Sequence, residues 1–143
     1  MKLNPPGDLV EVDTLTIRLL PNQVRYQFSA TDVISKWDGI RVYSRQTSFC
    51  AANFLDYLQM TYPLFVLPPR SPRLNGCVER ANRTHREEFY ELEEIELSLV
   101  EHNKQLQRWE HTYNYVRPHR GIDYLTPNEY YRDWLDKSKE QRR

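Results

Sequence analysis

Between Asp8 and Ile17, Val10, Val12, Leu15 and Ile17 alternate with Glu11, Asp13, Thr14 and Thr16. Successive side chains on a strand point to opposite faces, so this run predicts a strand with one apolar side. Leu20-Pro21-Asn22-Gln23 breaks the alternation, Val24 to Val33 reads as a second strand, and Gly39 to Arg45 as a third. The short connections predict an antiparallel meander. From Ser48 the period lengthens. Phe49, Ala52, Leu55, Leu58 and Tyr62 recur at three- and four-residue steps, predicting a helix over 48–62 that Pro63 stops.

Leu64-Phe65-Val66-Leu67 reads as a short buried strand halted by Pro68-Pro69, and Arg70 to Asn75 as a loop. A helix is expected from near Asn75 to about Leu92. Ser98-Leu99-Val100-Glu101 has the spacing of a capping box and opens a helix with the stripe Leu99, Leu106, Trp109, Tyr113, ending before Pro118. Thr126-Pro127-Asn128-Glu129 repeats that signature with proline at the first helical position, starting a last helix through Leu135. Residues 6–135 read as one domain and Asp136 to Arg143 as a charged, frayed tail. Strands first, then a strand after a crossover helix, then helices, imply an α/β sheet with helices packed on it.

The 143 residues suffice for one domain with a modest core. No apolar run reaches membrane-spanning length and the start lacks a signal-peptide core, so a cytoplasmic location without membrane partners is expected. Cys50 and Cys77, with His85, His102, His111 and His119, show neither disulfide-framework nor zinc-site spacing. The formal net charge is zero, so the overall field does not attract DNA. The charge is unevenly placed, however: between residues 70 and 86 stand Arg70, Arg73, Arg80, Arg83 and Arg86 against Glu79 alone.

The run Pro68-Pro69-Arg70-Ser71-Pro72-Arg73-Leu74-Asn75-Gly76-Cys77-Val78-Glu79-Arg80, continuing to Arg86, sets one carboxylate on the first turns of a helix among arginines. It resembles the last acidic motif of the D,D,E recombinases, the transposases with a retroviral-integrase-type core, and the resemblance extends from about Pro6 to Leu135. It implies a ribonuclease H-like fold: three antiparallel strands plus at least one parallel strand with packed helices. Here the fold would be one strand and one helix short, cut internally near residues 63–64. It also implies Mg²⁺- or Mn²⁺-dependent DNA strand transfer, with Asp13 and Glu79 as catalytic metal ligands. Two ions roughly 3.5 to 4 Å apart would serve that chemistry. The family's second metal-binding Asp would fall between Asp38 and Glu79, where the only acid is Asp56. Activity is therefore expected to be lost.

Three other acids can be weighed as replacements. Asp32 ends the second strand, roughly 7 to 13 Å along the sheet from the partner of Asp13 at about 3.3 Å per residue. Asp38 lies further on, at the start of the third strand, and Asp56 shares a polar helix face with Asn53 and Gln59. None is expected to complete the site. Glu79, Arg83 and Arg86 fall on one helical stripe at i, i+4 and i+7 with Asn82 beside them. By the resemblance these positions face DNA, and Arg70, Arg73, Asn75 and Arg80 join them as candidate contacts. Guanidinium forks suit phosphate oxygens. Tyr113-Asn114, Arg117-Pro118-His119 and Leu125-Thr126-Pro127 match the family's C-terminal signature and read as structural. Two functions remain open at this point: an inactive integration-type core, or a nucleic-acid-binding remnant that regulates a full-length transposase. A homo-oligomer or that transposase would be the protein partner.

Overall fold

In the computed structural model, residues 5–61 and 76–141 are described. β1 (Val10–Leu20), β2 (Gln23–Asp32) and β3 (Asp38–Tyr43) form an antiparallel sheet in the order β1-β2-β3. Asp13 pairs with Ser29, which pairs in turn with Ile40. Directly opposed residues share a face, so the register sorts the sheet into two sides. Val10, Val12, Phe28, Ala30 and Tyr43 lie on one; Glu11, Asp13, Leu15, Gln27, Ser29, Thr31, Asp38, Ile40 and Val42 lie on the other.

α1 (Ser48–Thr61) packs on the first side, burying Phe54 and Leu58 against Val10, Phe28, Ala30 and Trp37. Gly39 permits the approach, since a Cβ there would meet Leu58 Cδ2 at 2.4 Å. The inward stripe differs from the one read in the sequence. Phe49 is 80 % exposed and Ala52 exposed, while Cys50, Ala51 and Tyr57 pack inward with Phe54. Apolar residues occur around most of this helix, so periodicity alone leaves its phase undetermined, and the shape of the sheet decides it.

α2 (Gly76–His85) and α3 (Leu99–Tyr115) cover the other side, where Ile40, Val42, Phe89 and Leu106 form a second apolar cluster. Instead of running to Leu92, α2 gives way at Arg86 to a π-helical turn, Arg86–Tyr90. The wider turn lets the neighbouring rings of Phe89 and Tyr90 both reach inward contacts. A 3₁₀ turn, Arg120–Ile122, precedes α4 (Pro127–Gln141). Both predicted caps form. Ser98 accepts from the Glu101 N–H at 3.5 Å, and Thr126 and Glu129 exchange bonds at 2.9 and 3.1 Å. α4 continues past Leu135, with residues 136–141 helical.

α3 also closes the outer edge of β3, which ends at Tyr43 and not Arg45. The N–H groups of Asp38, Ile40 and Val42 donate to Asn114 Oδ1, Glu110 Oε2 and Asn103 Oδ1 at 2.8, 2.9 and 2.9 Å. Asn114 and Asn103 donate back to the carbonyls of Asp38 and Val42. Three side chains on one helix thus replace a neighbouring strand, leaving that edge no template for pairing. Leu64–Leu67, expected as a further parallel strand, lies outside the described residues.

Candidate functional site

Asp13 sits half-buried in the middle of β1, on the α2 side of the sheet. Its Oδ1 accepts the Thr14 N–H at 2.8 Å, and Asn82 Nδ2 reaches its Oδ2 at 3.5 Å. Asn82 belongs to the inward stripe of α2 with Ala81 and His85. Glu79 lies one turn earlier, exposed in the first turn of α2, where the helix dipole favours an anion. The helix that carries Glu79 is therefore joined to the strand that carries Asp13 through the Asn82 side chain.

A chain of buried polar groups fixes α2 over the sheet. His85 Nε2 meets Asp38 Oδ2 at 2.5 Å, and His85 Nδ1 meets Gln27 Nε2 at 3.0 Å. Gln27 Oε1 accepts from Tyr90 at 2.6 Å, Tyr90 meets His102 Nε2 at 3.1 Å, and Arg25 reaches His102 Nδ1 at 2.9 Å. Placing the proton of each imidazole on Nε2 makes every donor in this chain point from Arg25 toward Asp38, with Thr31 donating to the remaining Asp38 oxygen. Burial, reinforced by the Arg25 charge, lowers the His102 pKa to about 4, so that ring is neutral near pH 7. Burial likewise pushes Glu110, which holds Ile40 and Tyr57, up to about 7.

None of the three possible replacement acids reaches Asp13. Asp32 pairs with Val10, three residues from the partner of Asp13, and so lies on the opposite face. There it accepts from Gly7 N, Ile34 N and Ser35 Oγ, holding the turn after β2. Asp38 shares the Asp13 face but is two strands across and two residues along, about 12 Å away. Asp56 is exposed on α1, beyond the other side of the sheet. Glu11 is two residues from Asp13 on the same face, but is buried and engaged in an interaction of its own. Among the described residues, no group of three His, Cys, Asp or Glu side chains could hold a metal ion.

The arginines of α2 and of the π-helical turn that continues it separate into two flanks. Arg83 and Arg86 continue the stripe of Glu79, are exposed, and form no ion pair among the described residues. Arg80 lies on the flank away from Asn82. Asn82 itself, expected beside the arginines as a DNA contact, turns inward with 7 % of its surface exposed. Arg70, Arg73 and Asn75 lie outside the described residues. Sequence reasoning missed the roles of Asp38 and His85, because nothing local links residues 47 apart in the chain. Asn114 was read only as part of a structural signature.

Residues 63–127 match the family model of the integrase core domain. The match supports a domain of the transposase and integrase catalytic-core type over that stretch, and the α/β sheet with its packed helices is compatible with a ribonuclease H-like integrase core. The match spans α2 with Glu79, the π-helical turn, α3 and the loop to Pro127; Asp13 lies before it. No curated protein matches the chain. No helix among the described residues is long and apolar enough to cross a membrane.

Proposed function

We propose that this chain is a catalytic-core relative associated with DNA integration that binds duplex DNA through Arg83 and Arg86 and does not complete strand transfer. The observation carrying this reading is the Asn82–Asp13 contact, which sets the helix of Glu79 and its arginine stripe against β1. Arginines three positions apart along one exposed face can grip phosphates, and such contacts position DNA without reading its sequence.

The donor set suits one hard divalent ion. Asp13 and Glu79 would supply carboxylate oxygens, and the Asn82 Oδ1 is buried without a hydrogen-bond partner among the described residues, an oxygen ready for a cation. A bound Mg²⁺ or Mn²⁺ would polarise a phosphate oxygen there. Strand transfer needs a second ion to stabilise the departing oxygen, and a second ion needs a further bridging carboxylate. The distance of Asp32, Asp38 and Asp56 from Asp13 supports the reading that this carboxylate is lacking.

Fluorescence anisotropy with labelled duplex DNA tests the reading. Binding should weaken steeply with salt, and Arg83→Ala with Arg86→Ala should lower affinity about tenfold or more and flatten the salt slope by about two. Supercoiled plasmid should stay intact with Mg²⁺ or Mn²⁺. Metal-dependent nicking that disappears in Glu79→Gln would overturn the loss of activity, and unchanged affinity in the double arginine variant would overturn the binding face.

A further inference from the structure

Arg80 and Thr84, on the flank of α2 opposite Asn82, form one wall of a cleft of about 490 Å³ whose other wall is the loop after α3. Lys36, Arg80, Arg117 and Arg120 all line it, and among the described residues no carboxylate does. Glu88 holds Arg117 through two bonds at 2.9 and 3.1 Å, and Lys36 donates to the Val33 carbonyl while its stem lies against Gly121. Arg120 is exposed and forms no ion pair among the described residues. The balance of the lining is strongly cationic, in a chain whose formal net charge is zero.

Tyr124 also lines this cleft, and its placement is unusual in two ways. It is 67 % exposed, and it follows Asp123 in a second consecutive left-handed conformation, with φ of 56° and 62°. Side chains other than glycine adopt that region at a cost, and a run of two is rarer still. The loop enforces it by closing on itself: His119 N bonds to Leu125 O at 2.9 Å and Tyr124 N to His119 O at 2.8 Å. The ring thus gains little burial from its strained position. It stands over the rim of a basic cleft.

Cations beside an exposed aromatic face are the pairing that single-stranded nucleic acid uses, with phosphates on the charges and an unpaired base on the ring. Duplex DNA would engage the cations but not the ring, since its bases are already stacked. The volume is that of a site for a small ligand such as one nucleotide. We infer that this cleft binds an unpaired stretch of DNA, with Tyr124 stacking on a base and Arg80 and Arg120 holding the flanking phosphates. The inference rests on the nucleic-acid reading proposed above. A strand parting from duplex held at Arg83 and Arg86 would cross α2 at Arg80 and enter the cleft directly.

The test uses the full chain and a fluorescein-labelled oligothymidylate beside a labelled duplex. Tyr124→Ala should lower single-strand affinity about tenfold, the loss typical for one stacked base, and leave duplex affinity unchanged. Tyr124→Trp should retain binding, and Arg120→Glu should weaken it. Tyr124→Gly, which suits the backbone better than tyrosine, should show the same loss as Tyr124→Ala, separating stacking from misfolding. The assignment is overturned if these losses are absent, or if duplex binds through Arg83 and Arg86 while oligothymidylate does not. Failure to bind either probe at low salt would instead remove the nucleic-acid reading itself.

Discussion

Val10, Phe28, Ala30, Phe54 and Leu58 meet on one side of the sheet as a continuous apolar layer, whereas the other side carries Asp13, Gln27, Ser29, Thr31 and Asp38 beneath α2. The first side follows the general rule that burial of apolar surface drives folding. On the second, each polar group must find a partner or destabilise the domain. The partners found there, His85 for Asp38 and Asn82 for Asp13, both lie on α2. The polar side therefore fixes the position of one helix, the one bearing Glu79, with hydrogen bonds of defined direction. An apolar layer would hold a helix against the sheet while specifying its position less tightly.

The largest effect should come from the apolar side. Phe54→Ala leaves a cavity between α1 and the sheet and should lower stability by about 3–5 kcal/mol, read by urea denaturation, while the folded fraction keeps its duplex affinity. On the polar side, His85→Ala strands the Asp38 carboxylate in a fully buried position. About 3 kcal/mol of stability should be lost. Here duplex affinity of the folded protein should fall too, because α2 loses its attachment to β3. Equal DNA affinity in both folded variants would erase the distinction between the two sides.

Acidity provides a smaller effect of two opposed signs. The raised Glu110 pKa, about 7 against 4.5, means that the fold favours the protonated carboxyl; its contribution is complete below pH 4.5 and is lost as pH rises to about 7. The lowered His102 pKa, about 4 against 6.5, means that the fold favours the neutral ring; its contribution is complete above pH 6.5 and is lost as pH falls toward 4. Thermal melts from pH 4 to 7 should show Glu110→Gln losing stability relative to the wild type as pH falls from about 7 to 4.5. His102→Gln should do the reverse, gaining relative to the wild type as pH falls from 6.5. Parallel profiles for the two variants would contradict both assignments.

The first three strands were legible because alternation is local, and their starts and ends fall within three residues of the structure. The capping boxes at Ser98 and Thr126 were legible for the same reason. α1 shows where local pattern fails: with apolar residues on several sides, its inward face depends on the sheet it meets. The polar contacts of α3 were hidden in another way. Asn103 and Glu110 carry no signal of their own in the sequence, Asn114 was read only within a structural signature, and only the open edge of β3 gives all three a use. At the candidate site the carboxylates Asp13 and Glu79 could be named from motif and strand position. Asn82 was named as a candidate DNA contact, and its reach to Asp13 was not legible, since nothing local links residues 69 apart in the chain.

On the function proposed here, Asp13 and Glu79 together hold one divalent ion and not two. Electron paramagnetic resonance titration of the full chain with Mn²⁺ measures this directly. One ion should bind, and both Asp13→Asn and Glu79→Gln should abolish it while the fold remains intact by circular dichroism. Two magnetically coupled ions, or one ion retained in both variants, would contradict the account.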